Sequence, residues 1–143
     1  MMDAKQVLKQ AVDAWNRHDV EGFVALASPD VQIVASGGVD LRGLEGMRQY
    51  YWLWRTACPD NALTYHNIVG DGDRAIGEAT FTGTHDGPLH HPAGNVPATG
   101  RRLNGDFVAA YRTAGGKLTS LRIYLDTLEL MTQLGLVAEP AKS

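Results

Sequence analysis

Glu78, Thr80 and Thr82 alternate with Gly77, Ala79 and Phe81, and this period of two is what most limits the folds open to the chain. Successive strand side chains point to opposite faces, so a polar and an apolar series in alternation call for a sheet wet on one face and dry on the other. The stretch from Arg74 to His85 is therefore read as a strand, with Gly77, Ala79, Phe81, Gly83 and His85 turned inward. Leu63 to Val69 precedes it across Gly70-Asp71-Gly72-Asp73, a hairpin signal. Arg101 to Arg112 and Lys117 to Leu125 follow as a second hairpin across Ala114-Gly115-Gly116. Four antiparallel strands in succession have one dry face to cover.

The cover comes from the first third of the chain. Val7, Leu8, Ala11, Ala14 and Trp15 fall at helical spacing within residues 3–17. Asp19 is placed to cap a second, short helix that turns Phe23, Leu26 and Ala27 inward, and Ser28-Pro29-Asp30 ends it. Val31 to Ser36 reads as a strand that runs into the Gly37-Gly38 turn. Gly43 to Ala57 returns to helical period, with Met47, Tyr50, Tyr51 and Trp54 on one face. Asp126-Thr127-Leu128-Glu129 matches a capping box opening a last helix that Gly135 stops. Residues 86–100 read as a long loop without regular structure, the kind that often serves as a lid. The expected architecture is α+β: a strongly curved, mostly antiparallel sheet wrapped on three helices from the N-terminal half, plus a short C-terminal helix. It forms a cone with an apolar floor and an open mouth, one domain over residues 1–143.

Composition removes several function classes. With 143 residues and 44% hydrophobic side chains the chain can bury a sizeable core, and a net charge of -3 is too small to hold it unfolded. Thirteen Lys and Arg against 16 Asp and Glu leave no basic excess for nucleic acid. Cys58 is the only cysteine, so there is no intramolecular disulfide and no cysteine-cluster metal site. No apolar run approaches the roughly 18 residues of a membrane span, and Met1-Met2-Asp3-Ala4-Lys5-Gln6 lacks the apolar stretch of a signal peptide. The expectation is a soluble, cytoplasmic protein with no membrane partner.

Several strings carry a resemblance. They are Ala14-Trp15-Asn16 with His18-Asp19, Ser28-Pro29-Asp30-Val31, Arg42-Gly43-Leu44-Glu45-Gly46, Gly70-Asp71-Gly72-Asp73, Gly83-Thr84-His85-Asp86-Gly87-Pro88 and Pro97-Ala98-Thr99-Gly100-Arg101-Arg102, closed by the segment from Asp126 to Gly135. In this order, over nearly the whole chain, they resemble the SnoaL-like polyketide cyclase branch of the nuclear-transport-factor-2-like fold, a cystatin-like cone. The resemblance implies a cofactor-free enzyme that closes a ring by intramolecular aldol condensation, with an aspartate as general acid/base and polar neighbours stabilising the enolate. It also implies a homodimer or larger oligomer. The family's aspartate falls on Ile123, its inward histidine on Ala109, its glutamine on Phe107 and its first-strand asparagine on Ile33. All four are apolar here.

The chemistry must then come from other side chains. His85 closes the inward series of its strand; it can shuttle a proton near neutral pH or simply tie down the loop after it. Tyr65 and Asn67 share parity with Leu63 and Val69, so both are expected to reach the cavity as electrophilic partners, a tyrosine donating to an oxyanion without itself being charged. Asp126, the nearest carboxylate to the vacant acid position, is either the cap of the last helix or a substrate-facing group. Trp15, Ile33, Tyr51, Trp54, Phe81, Phe107, Ala109, Tyr111 and Ile123 are expected to wall a substrate site, the aromatic ones equally readable as plain core. His90 and His91, even with His85 and Asp86, lack metal-ligand spacing, and no metal is expected. Three functions stand open at this point: polyketide-cyclase-like cyclisation or isomerisation of a bulky apolar molecule, a cofactor-free hydroxylation such as a sub-branch of the same family resembles, and non-catalytic binding of an apolar ligand. The mixed aromatic, β-branched and charged outer face of the sheet (Tyr124, Arg122, Thr80, Thr82, His66) is expected to pack against another copy.

Overall fold

The structure, a computed structural model, describes residues 2–138. Asp3 opens the first helix, α1 (Ala4–Asn16): its carboxylate accepts from the Gln6 N–H at 2.9 Å while the Gln6 side chain accepts from the Asp3 N–H at 2.9 Å, satisfying donors that a helix start leaves free. Asp19 caps α2 (Val20–Val24) by accepting from the Gly22 N–H. A third helix, α3 (Gly43–Ala57), buries Met47, Tyr50, Tyr51 and Trp54. These three pack on one side of a six-stranded sheet made of β1 (Ala27–Ala35), β2 (Val39–Arg42), β3 (Ala62–Asp71), β4 (Arg74–Thr84), β7 (Arg102–Ala114) and β8 (Lys117–Leu125), in the order β2-β1-β8-β7-β4-β3. Every pairing is antiparallel except β1 with β8. A small separate hairpin, β5 (Leu89–His91) with β6 (Gly94–Val96), lies between β4 and β7. The last helix is α4 (Thr127–Gln133). The fold is the α+β arrangement the sequence patterning calls for.

Three register shifts curve the sheet, at Ala27/Gln32, Tyr65/Asn67 and Arg112/Thr113. An extra residue on one strand bends it and increases its twist. Curvature closes the inner face around a core that runs from Ala4 to Leu134 and includes Leu8, Trp15, Val31, Ile33, Met47, Tyr51, Leu103, Leu118 and Leu121.

The structure corrects the sequence expectation at four places. Ser28-Pro29-Asp30 does not separate a helix from a strand: β1 begins at Ala27 and carries Pro29 through its irregular stretch, where a residue without an N–H costs no ladder bond. Gly37 and Gly38, both at φ near +90°, lead into β2, a short strand that was not anticipated. Residues 86–100 are not free of regular structure, since the β5–β6 hairpin folds within them. At the last helix only half of a capping box forms: the Asp126 carboxylate accepts from the Glu129 N–H, but the Glu129 side chain accepts from Gln133 instead.

Candidate functional site

Inside the cone lies a cavity of about 100 Å³. Its walls come from α1 (Ala11, Val12, Trp15), α3 (Tyr50, Trp54), β3 (Leu63, Tyr65), β4 (Phe81), β7 (Leu103 to Tyr111) and β8 (Leu121, Ile123, Leu125). From Leu103 to Tyr111 the cavity follows β7 for roughly 27 Å of extended chain. α4 lies at the Leu103 end and contributes Glu129, Leu130 and Gln133, with Asp126 at its cap. Gln133 clips it there, accepting from the Asn104 N–H at 2.9 Å and donating to the Asn104 carbonyl at 2.8 Å. None of the residues within α4 is buried, so this helix covers the mouth without being part of the core.

The middle of the cavity is aromatic. Trp15 is held by its indole N–H, which donates to Asn61 Oδ1 at 2.7 Å; the Asn61 amide in turn donates to the Trp54 and Cys58 carbonyls at the end of α3. Trp54 packs at 5.3 Å from the Phe81 ring, and Tyr65 meets Phe107 edge-on at 5.8 Å.

At the far end stand three phenols, Tyr50, Tyr65 and Tyr111, one from each of α3, β3 and β7. Burial raises the pKa of all three well above the ordinary tyrosine value of 10, so each keeps its proton. The neighbouring Trp54 indole at Tyr50 and the neighbouring Tyr111 hydroxyl at Tyr65 act in the opposite direction, but burial dominates. The carboxylates are at the other end. Asp126 and Glu129 line the mouth and are exposed. The cavity is thus apolar along its length, with neutral donors at one pole and acceptors at the other.

Of the residues the sequence nominates, Trp15, Trp54, Tyr65, Phe81, Phe107, Ala109, Tyr111 and Ile123 all lie on this wall. Four do not. Asn67 is exposed on the outer face, where its amide donates to Glu78 at 3.1 Å: the bulge after Tyr65 inserts His66, and a one-residue slip sends the next side chain to the opposite face. His85 is fully buried outside the cavity. Its Nδ1 lies 2.9 Å from Thr99 Oγ1 and accepts from the Thr99 N–H at 3.3 Å, while its carbonyl accepts from the Gly100 N–H, so it clasps the returning end of the 86–100 segment. Tyr51 is one position round the helix from Tyr50. It points toward α1 and α2, where its oxygen accepts from the buried Arg55, whose other guanidinium nitrogens hold the Trp15, Pro59 and Asn61 carbonyls. Ile33 is buried opposite Leu121, but it lies outside the cavity wall. Sequence reasoning passed over Tyr50 and Glu129 as site residues. Tyr50 shares the Trp54 face at i, i+4, and Glu129 stands one turn before Gln133, so helical spacing held both signals.

A family model for SnoaL-like polyketide cyclases matches residues 5–134. The chain belongs to that family. Comparison with curated protein sequences finds no match. Among solved structures, this SnoaL-like protein is similar to AclR, a proposed hydroxylase from Streptomyces galilaeus, at 26% identity over 97% of this chain and 85% of that one, with a TM-score of 0.81. It is similar to IdmH, a proposed polyketide cyclase from Streptomyces antibioticus, at 24% identity over 94% and 99% of the two chains and a TM-score of 0.75. A nuclear-transport-factor-2-like protein from Burkholderia pseudomallei shares the fold at 19% identity, covering 94% of this chain and 98% of that one with a TM-score of 0.74. Within this SnoaL-like cone, Ala109 and Ile123 are direct partners across β7 and β8, and Phe107 pairs with Leu125, so the positions to which the resemblance assigns histidine, aspartate and glutamine do face the cavity, and they face it with apolar side chains.

Proposed function

We propose that this SnoaL-like protein is a cofactor-independent enzyme acting on a bulky, mostly apolar ketone by proton transfer, in a polyketide-cyclase-like cyclisation or isomerisation. The observation that carries the reading is the polarity of the cavity: protonated phenols at one pole, Asp126 and Glu129 at the other, and an aromatic passage between them. In the reading, a ketone enters with its oxygen toward the phenols and an acidic C–H toward the mouth. The Asp126 carboxylate takes that proton. The C–H electron pair moves into the new C=C bond, and the carbonyl oxygen takes up the negative charge as an enolate beside Tyr65. In a cyclisation the enolate carbon bonds to a second carbonyl carbon of the same molecule, and the resulting alkoxide regains a proton from Asp126. Isomerisation needs only return of the proton to another carbon. The walls hold the flat substrate in register, which removes most of the entropic barrier to ring closure. No step calls on a metal or an organic cofactor.

The test is exchange of the α-protons of 2-tetralone in D₂O, followed by NMR. The protein should accelerate exchange over buffer, and Asp126→Asn should slow it by about 10²-fold. Asparagine also caps helices, so the variant keeps α4 in place. If 2-tetralone binds and its exchange is not accelerated, the reading gives way to a second one, a non-catalytic binder of apolar ligands. The apolar side chains at Ile123, Ala109 and Phe107 favour that alternative, because a dry wall binds without moving protons. The likeness to a proposed hydroxylase supports oxygenation of an electron-rich aromatic as the variant within the enzyme reading.

The same protein is proposed to self-associate through the outer face of its sheet. Val69 and Ile76 are exposed there as a cross-strand pair, next to Ala110, with Tyr124 exposed beside Val108. Exposed apolar side chains set among charged ones, Arg122 and Glu78 here, are covered when two copies pack face to face. Ile76→Lys should shift the sedimentation coefficient to that of a monomer.

A further inference from the structure

We propose that Gly105 floors a slot at the α4 end of the cavity that takes a third fused ring of the ligand, which makes it the residue that sets how large a flat apolar molecule the cavity accepts. The proposal deepens the reading of the cavity as the site of a bulky apolar molecule and rests on it, whether that molecule is converted or only held.

Gly77 and Gly83 on β4 and Gly105 on β7 all lie on the inner face of the sheet. Protein atoms account for the first two. A Cβ at Gly77 would stand 2.5 Å from Tyr65 Cε2, and one at Gly83 would stand 2.8 Å from Cys58 Cβ. At Gly105, among the described residues, nothing beyond its chain neighbours lies within 4 Å of that position, although the residue lines the cavity. Its backbone does not call for glycine either. Gly105 sits in the ladder opposite Phe81 and is not one of the glycines with positive φ, so a larger residue could adopt its conformation. Glycine weakens a strand interior, and it is favoured where something must come close to the backbone. Here no part of the protein does.

The side chains best placed to fill the gap lean away from it. Phe81 stands directly opposite Gly105, and Phe107 follows on the same face of β7; both line the cavity. The Phe81 ring packs on Trp54 at 5.3 Å, and Phe107 meets Tyr65 at 5.8 Å. On the other side β8 ends at Leu125, opposite Phe107, so Gly105 has no strand partner there. Leu130 and Gln133 of α4 line the cavity in its place. The result is a slot with a bare backbone floor and aromatic flanks. A backbone without a Cβ lets a planar ring lie flat in van der Waals contact, and dispersion grows with the number of atoms that touch. Gly105 is roughly 7 Å of extended chain from Phe107. A ring lying there is therefore added to whatever fills the aromatic middle between Trp54 and Phe107. The class of ligand selected is a flat fused system of three or more rings, in preference to one of two.

The probes are phenanthrene, with three fused rings, and naphthalene, with two, each titrated with the whole protein and followed by its own fluorescence. The proteins are the wild type, Gly105→Ala and Gly105→Leu. The wild type should bind both probes, and Gly105→Leu should lower the ratio of phenanthrene to naphthalene affinity by about tenfold or more, as added methylenes in a fitted pocket do. Gly105→Ala should move the ratio less, in the same direction. The urea midpoint of Gly105→Ala should be no lower than that of the wild type, because the new methyl group enters open space in a conformation alanine adopts. That variant also keeps the ratio measurable if leucine weakens the fold. A lower midpoint would mean that protein atoms already fill the slot, and overturns it. An unchanged ratio in both variants, or a wild type that takes naphthalene and refuses phenanthrene, overturns the slot and leaves the reading of the cavity standing. A wild type that binds neither probe overturns both.

Discussion

The Tyr65 ring rests directly on Gly77 of the neighbouring strand, with Cε2 and Cδ2 at 2.5 and 2.6 Å from where a Cβ would be. Gly77 is on the inner face of β4, at a position where any side chain would fill the space the phenol occupies. A methyl group there cannot be absorbed by the backbone, so the ring itself must turn away. Gly77→Ala is expected to destabilise the fold by about 1–3 kcal/mol, as overpacking does. It should also change the environment of Tyr65 while leaving Trp15 as it was. Urea denaturation gives the first number, and ring NMR signals give the second.

The three cavity phenols make the fold lose stability at alkaline pH. Tyr50, Tyr65 and Tyr111 have folded-state pKa values raised above the ordinary value of 10, chiefly by burial. The unfolded chain therefore loses these protons first, and their contribution is fully present below pH 10 and lost as pH rises through the folded values. Removing one phenol with Tyr111→Phe should flatten the fall of unfolding free energy above pH 10 by about 1.4 kcal/mol per pH unit. An unchanged slope would mean that Tyr111 ionises as freely in the folded protein as in the unfolded one.

Strand parity made most of the inner face legible from the sequence. Phe81, Phe107, Ala109, Tyr111 and Ile123 all reach the cavity because β4, β7 and β8 keep their alternation through those positions. Parity fails where the chain inserts a residue. Tyr65 and Asn67 have the same parity in sequence and opposite faces in space, because His66 is the extra residue of a bulge. No local preference marks that bulge; it follows from how β3 has to bend to keep pace with β4. The helical residues were harder for another reason. Tyr50 and Tyr51 are both buried on α3, and only the crossing of α3 over the sheet decides that one lines the cavity and the other meets Arg55. His85 shows a third limit: its inward parity was right, yet the strand ends there and the returning segment at Thr99 closes over it.

That closure carries a pH dependence of its own. Burial lowers the proton affinity of His85 below the ordinary 6.5, against the weaker opposing pull of Asp86. Its Nδ1 must stay unprotonated to accept from the Thr99 N–H. A depressed folded-state pKa gives stability that is present above 6.5 and is lost as pH falls through the folded value. As pH falls below 6.5 the Thr99 and Gly100 amides should lose hydrogen-exchange protection before the β7 and β8 amides do. His85→Gln should abolish that local titration, and protection that follows pH equally in the variant would rule out His85 as its source.

Ala109 and Ile123 offer the sharpest test of what the cavity lacks. They are paired across β7 and β8 and both line the wall, so a histidine and an aspartate placed there would face each other inside an apolar enclosure. Ile123→Asp alone buries a carboxylate without a partner and removes a packed aliphatic side chain; it should cost about 3 kcal/mol or more and raise the pKa of the new carboxyl well above the usual range. Ala109→His alone adds bulk beside Ile123 and should cost about 1–3 kcal/mol. Together they form an imidazolium–carboxylate pair, so the double variant should be more stable than the sum of the two losses by about 1–3 kcal/mol. That coupling is read from a double-mutant cycle by denaturation. The same double variant should exchange the α-protons of 2-tetralone faster than the wild type, because its base then lies against the wall instead of at the mouth. Additive losses with no coupling would show that the two side chains do not meet across β7 and β8.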